Sequence, residues 1–253
     1  MIARLAARAA YLLVLAVGPA GADPQGLLVL IIDDMGDRPV EGDRVAALEG
    51  PVVCAFLPHT PHATRQAERC HAQDKEVMLH QPMEAKNGAS LGPGGLRLDM
   101  RRDEFEAVVR ANLEAIPHAT AVNNHMGSLL TRHPGHMTWL METLRDEGEF
   151  LFVDSRTSVH TVAEQMAREA DLPTLRRDVF LDHHRDPEAI RSQLRRAVEQ
   201  ARRTGVAVAI GHPYPETLDV LEADLAGLLA AHDVRLASLG AAYDAHLYTN
   251  GTH

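Results

Sequence analysis

Several protein classes are excluded by what this chain lacks. Asp and Glu total 35 against 25 Lys and Arg, for a formal net charge of −10. A nucleic-acid binder needs a basic face to meet phosphates, so that class is excluded. Only two cysteines are present, Cys54 and Cys70, with no C-x-x-C and no Cys/His zinc spacing. They are expected either as a disulfide, which export permits, or as two buried thiols. The Gly/Pro-rich stretch GASLGPGGL, within Asn87 to Leu96, is neither G-x-G-x-x-G nor a phosphate loop with its lysine. No internal repeat and no linker divides the chain. Beyond the first residues, no apolar run is long enough to cross a membrane.

The N-terminus reads as a secretory signal rather than as fold. Arg4 and Arg8 precede the apolar run Ala9 to Val17, and Ala20-Gly21-Ala22 supplies an A-x-A ending. Cleavage after Ala22 is expected to leave residues 23–253 as one domain of 231 residues. Loss of the two arginines takes the net charge from −10 to −12. The expected location is outside the cytoplasm, in the periplasm.

The stretch Leu27 to Gly36, LLVLIIDDMG, organises what remains. Six unbroken apolar residues read as a strand buried on both faces, which needs layers above and below it. The strand ends in Asp33 and Asp34, where α/β proteins place their chemistry. Successive strand residues face opposite sides, so the two carboxylates are expected to have different jobs. Further strands are expected at Val52–Leu57, Glu76–Leu79, Ala121–Val122, Phe150–Val153, Val179–Leu181, Val206–Ile210 and Arg235–Leu239. Helices are expected at Pro61–Gln73, Arg102–Ile116, Gly135–Glu147 and Val162–Ala170. Two more are expected, one opened by Asp186-Pro187 and one at Thr217–Leu229. Such alternation means a largely parallel sheet. Eight strands without a natural midpoint favour a closed or nearly closed α/β barrel with outer helices. The tail from Tyr243 is expected to be loose.

The residues after each strand are Asp33-Asp34, His59, His80, His125, Asp154, Asp182-His183 and His212. Parallel strands bring these ends to one face. Imidazoles and carboxylates gathered there form a normal ligand set for zinc and related divalent ions. His59, His183 and His184 each also read as surface residues.

IIDDMG, EVMLHQPME, NNHMGS, FVDSRT and AIGHPY, in this order, resemble the divergent polysaccharide deacetylase family, a distant branch of the NodB-like carbohydrate esterases. The resemblance runs from about Leu27 to Leu239. It implies a deformed (β/α) barrel, a divalent metal, usually zinc, and hydrolysis of N-acetyl groups on a polysaccharide. It further implies Asp33 as catalytic base, Asp34 and His80 as metal ligands, and His212 as general acid. Glu84 stands where the typical enzymes have a second metal-binding histidine. His125 is the favoured third ligand, with Glu84 in reserve. Asn123-Asn124-His125 replaces the arginine-containing third motif. Asp154, Ser155 and Asp182 are expected to orient the histidines or meet sugar hydroxyls. A second expectation is a catalytically weak or inactive relative that binds glycan or a cell-envelope protein.

Overall fold

The computed structural model describes residues 26–250; the expected leader, residues 1–22, lies outside them. The strands are β1 (Gly26–Met35), β2 (Val52–Phe56), β3 (Glu76–Met83), β4 (Ala119–Met126), β5 (Leu151–Asp154), β6 (Thr174–Arg176), β7 (Val179–Phe180), β8 (Val206–Gly211) and β9 (Val234–Leu236). The helices are α1 (Pro39–Ala47), α2 (Ala63–His71), α3 (Arg102–Ala115), α4 (Pro134–Glu147), α5 (Ala163–Glu169), α6 (Pro187–Thr204), α7 (Pro215–His232) and α8 (Leu239–Asn250). All ladders are parallel, in the order β6-β5-β4-β3-β2-β1-β8-β7, with β9 beside the start of β1. This is an α/β barrel of parallel strands with helices around it.

The barrel closes by covalent connection rather than by a ladder. The two edge strands, β6 and β7, are consecutive in the chain and separated only by Arg177 and Asp178. Arg177 N donates to Asp154 O, extending the β5–β6 side. Asp178 N donates to Val208 O, opening the β7–β8 side. The seam therefore falls between these two residues.

Strand alternation fills two cores. Leu28, Leu30, Ile32, Cys54, Phe56, Leu79 and Val122 face outward and pack under the helices. Val29, Ile31, Val53, Ala55, Met78, Val153, Val208 and Ile210 face inward and fill the barrel. The outer helices turn their apolar stripes to the sheet: Ile190, Leu194, Ala197, Val198 and Ala201 on α6 are all fully buried. Truncating one such residue, Leu194→Ala, costs about 2–5 kcal/mol. Asp186 caps α6, its Oδ1 accepting from Ala189 N at 2.9 Å, and Pro187 occupies the first turn. Cys54 and Cys70 are free and buried.

Three elements depart from the sequence expectation. Helix α1 carries no clear apolar stripe, and Gly42 in its middle argues against a helix. At that glycine α1 passes close to α2: a Cβ there would lie 2.2 Å from Gln66 Nε2, which donates to Arg38 O. Strand β6, with three residues, is too short to show a period and brings the strands among the described residues to nine. The tail is not loose at its start. Leu239 and Ala242 of α8 join the barrel's inner core, with Tyr243 packed beside them. Leu239 N donates to Glu76 Oε2 at 2.8 Å. Helix α8 thus plugs the end of the barrel where the strands begin, and leaves the opposite mouth open to solvent.

Candidate metal centre

The open mouth is built first by the end of β1. Asp33 follows Val29 and Ile31 inward and is only 3% exposed. Asp34 does not simply take the outer side. The pairing of β1 with β2 slips between Ile32 and Met35, and Asp34 has φ +54°. This is a bulge with an aspartate in the left-handed region, where that residue is better tolerated than most. The bulge swings its carboxylate over the mouth toward β3 and β4. Met126, the last residue of β4, and Arg156, just after β5, have φ +53° and +50°, so left-handed residues recur at this end of the barrel.

His80 on β3 and Asn123 on β4 are register partners, and His125 lies two residues further along β4. Asp34 Oδ1 is 2.8 Å from His125 Nδ1 and 3.2 Å from His80 Nε2. The two imidazole nitrogens are 3.2 Å apart. Neither contact to Asp34 Oδ1 has hydrogen-bond geometry, which leaves that buried oxygen unsatisfied. Three donors bound to zinc at about 2.1 Å in tetrahedral arrangement lie roughly 3.4 Å apart. The donor set and its spacing fit such an ion. Among the described residues, Asp34, His80 and His125 form the one cluster of this kind.

Asn123 sets how His80 is presented. Its Nδ2 donates to Asp33 Oδ1 at 2.7 Å, and its Oδ1 receives His80 Nδ1 at 2.7 Å. With Nδ1 carrying the proton, the free pair of His80 is on Nε2, facing Asp34. His212 is presented in the same manner by Asp182. Asp182 Oδ1 accepts from His212 Nδ1 at 2.9 Å, while Oδ2 accepts from His212 N at 2.6 Å and from Thr217 Oγ1 at 2.8 Å. His212 Nε2 is therefore the free ring nitrogen, 3.7 Å from Asp34 Oδ2.

The electrostatics show an excess of negative charge. Burial opposes the charged form of His80, but Asp33 and Asp34 outweigh it and push its pKa up to about 9. Burial also opposes ionisation of Asp34, yet His125 and His80 hold its carboxyl well below the usual range. Asp33 is raised by burial, against the pull of His80, His212 and Asn123. His212 is raised despite burial, through its bond to Asp182 and the charges of Asp182, Asp34 and Asp33. The Asp33 and Asp34 carboxylates gathered beside the two imidazoles would suit a divalent cation.

The remaining residues singled out in the sequence divide. Asp182 orients a histidine as expected. Asp154 does not: it accepts from Arg156 N and Thr161 Oγ1 and shapes its own loop. Ser155 N donates to Asn124 Oδ1, and its hydroxyl is buried without a partner. Glu84 stands outside the donor cluster, with Oε2 accepting from Leu98 N at 2.8 Å. His59 is exposed and bonds Asn112 Oδ1 at 2.9 Å; His183 and His184 are exposed. The role of Asn123 escaped the sequence reading, because it depends on the register of β3 against β4. The only available signal was its place two residues before His125.

A family model described as divergent polysaccharide deacetylase matches residues 30–243. The chain is 37% identical over 197 residues to the uncharacterized protein YibQ of Escherichia coli (strain K12), covering 78% of this chain and 61% of that protein. It thus spans 61% of the length of that relative. It is 33% identical over 216 residues to an uncharacterized protein of Haemophilus influenzae, covering 85% of this chain and 76% of the other. Among solved structures, it resembles the uncharacterized protein ATU2773 from Agrobacterium tumefaciens C58. The TM-score is 0.81 at 18% identity, over 88% of this chain and 91% of that one. That likeness is one of fold.

Proposed function

The chain belongs to the divergent polysaccharide deacetylase family, and from that premise we propose that it is an exported, zinc-dependent hydrolase removing N-acetyl groups from a polysaccharide. The observation that carries the reading is the unsatisfied Asp34 Oδ1 facing His80 Nε2 and His125 Nδ1 at 3.2 and 2.8 Å. Two imidazoles and one carboxylate match the ligands zinc prefers in catalytic sites that keep a position open. A divalent ion held by Asp34, His80 and His125 would polarise the amide carbonyl and make water a better nucleophile.

The chain's own residues supply the proton transfers. Asp33 is the base: its carboxyl is raised by burial and lies beside the donor cluster, so it takes a proton from the attacking water more readily than an ordinary aspartate. Asn123 holds Asp33 Oδ1 in place while the proton moves. His212 is the acid. Its Nδ1 stays bonded to Asp182, and its raised pKa favours a proton on Nε2. From there it protonates the leaving amine as the C–N bond breaks, releasing acetate and the free amino sugar.

A second reading, a relative that binds glycan without turnover, draws on Asn123-Asn124-His125 standing in place of the arginine motif. Metal analysis of the purified protein, followed by acetate-release assays on acetylated glycans, separates the two. About one ion per chain together with acetate release is the expected result. Metal without acetate from any glycan supports the binding reading, and no metal uptake from added zinc overturns the metal-dependent reading. Export rests on Arg4, Arg8, the apolar run and Ala20-Gly21-Ala22. N-terminal sequencing of the mature protein should begin at Asp23, and an intact Met1 would refute export with cleavage.

A further inference from the structure

Two aromatic rings flank the His212 imidazole. Phe180 meets it edge-on at 5.4 Å and Tyr214 stacks on it at 5.3 Å. Each ring carries arginine. Arg177 Cζ lies 5.1 Å from the centroid of Phe180; Arg185 and Arg38 lie 3.4 and 5.7 Å from that of Tyr214.

These arginines use their N–H groups differently. Arg177 is partly buried and donates Nε to Ser155 O and Nη2 to Arg156 O, so its fork is spent on the backbone. Arg185 and Arg38 are exposed. Among the described residues, neither guanidinium makes a hydrogen bond or has a carboxylate within 4.0 Å. Their neighbours in sequence do not neutralise them: the Asp186 carboxylate is turned to Ala189 N, and Asp37 and Glu216 form no ion pair among the described residues. Elsewhere, arginines such as Arg44, Arg102, Arg110 and Arg191 are paired with carboxylates. On a chain of net charge −10, two unpaired guanidiniums gather on one ring, and that ring is stacked on His212.

Two like charges beside one ring repel, and an anion bridging them would offset that repulsion. A guanidinium held beside an aromatic ring and without a carboxylate partner keeps its donor fork available to an oxyanion. We propose that Arg38 and Arg185, on the Tyr214 platform, bind a carboxylate or phosphate carried by the sugar next to the one that reacts. The substrate is then an acidic glycan. The inference rests on the hydrolase reading only for which sugar reacts. The protein's overall negative charge works against an acidic ligand at long range, so the preference must arise locally, from these side chains.

Calorimetry with matched probes tests this. One probe is di-N-acetylchitobiose oxidised at its reducing end to the aldonate, and the other is the same disaccharide reduced to the alditol. The native protein should bind the aldonate about tenfold more tightly, as expected of charge-assisted hydrogen bonds. Arg185→Gln and Arg38→Gln should each lower that ratio, and the double variant should bring it to about one. Both side chains are exposed, so folding is not at stake. Arg195→Gln, on the exposed side of α6, should leave the ratio unchanged. Competition by N-acetylglucosamine 1-phosphate that exceeds competition by the aldonate would name phosphate as the anion, and the reverse order would name carboxylate. Equal affinity of the native protein for aldonate and alditol would overturn the subsite while leaving the hydrolase reading standing. A preference that survives in the double variant would place the anion elsewhere and also overturn it. If neither disaccharide binds, the glycan reading fails and the subsite with it.

Discussion

Replacing Asn123 with alanine removes a side chain that hydrogen-bonds both Asp33 and His80. Both bonds are 2.7 Å long, and all three residues are buried. Each partner left unsatisfied costs about 1–3 kcal/mol, and more if charged. Two such losses put the destabilisation at roughly 2–6 kcal/mol, against a total stability of about 5–15 kcal/mol for a typical domain. The variant should fold with a lowered melting temperature. Its zinc affinity should fall further than stability alone explains. Without an acceptor at Nδ1, His80 is free to exchange tautomers and rotate, and loss of such an outer partner typically costs about 10–100-fold in affinity. Zinc competition against a chromophoric chelator reads the affinity, and thermal unfolding in excess chelator reads the stability. Asn112→Ala is the control: it also empties a buried amide, one that serves Gln81, Gly94 and His59, but it touches none of the three donors. If Asn123→Ala binds zinc as tightly as the Asn112 variant, Asn123 does not orient His80, and the reasoning is wrong.

Asp34→Asn should lose metal, whereas Asp33→Asn should keep it and lose about 10²–10⁴-fold in rate; metal content measured beside acetate release reads both, and the opposite pattern would reverse the two roles. His80→Ala and His125→Ala should each hold well under one ion per chain by elemental analysis. His118→Ala, whose imidazole pairs with Glu68 at 2.9 Å, and His246→Ala should match the native protein. His212→Ala and Asp182→Asn should both slow amide hydrolysis but recover on an ester with a good leaving group, which needs little protonation. Glu76→Gln tests the barrel plug. Burial raises the Glu76 carboxyl above its ordinary value, against the opposing bond from Leu239 N, so the folded state keeps that proton to higher pH than the unfolded chain does. Stability should therefore fall as pH rises through the window above about 4.3. The glutamine variant should flatten that slope in urea unfolding at a series of pH values, and an unchanged slope would count against the assignment.

What could be read in advance was whatever a single segment determines. The run Leu27 to Ile32 has no polar position, so it had to be a doubly buried strand, and its ending in two carboxylates located the functional mouth. Asp186-Pro187 announced α6 because capping is a local event. The inward placement of Asp33 followed from alternation, although the bulge that re-aims Asp34 did not, since it arises from the pairing of β1 with β2. The unseen parts were decided between segments. Gly42 weakens α1 when considered alone, and only the close approach of Gln66 explains it. Helix α8 shows no apolar stripe of helical period, and it is placed through Leu239, Ala242 and the bond from Leu239 N to Glu76. Glu84 has the spacing of a ligand, yet its carboxylate is claimed by the backbone of Leu98. The service of Asn123 to both Asp33 and His80 becomes visible only when β3 and β4 are laid side by side.

The seam between Arg177 and Asp178 has a mechanical consequence. A barrel stitched all the way round cannot change its girth without breaking rungs. This one resembles a split ring fastened by a two-residue clasp. Strands β7, β8, β1, β2, β3 and β4 form an unbroken run of paired neighbours, and they or the turns just beyond them carry Asp182, His212, Asp33, Asp34, His80, Asn123 and His125. The split lies outside that run. The wall can flex at the clasp, or even be nicked there, while these side chains keep their mutual spacing.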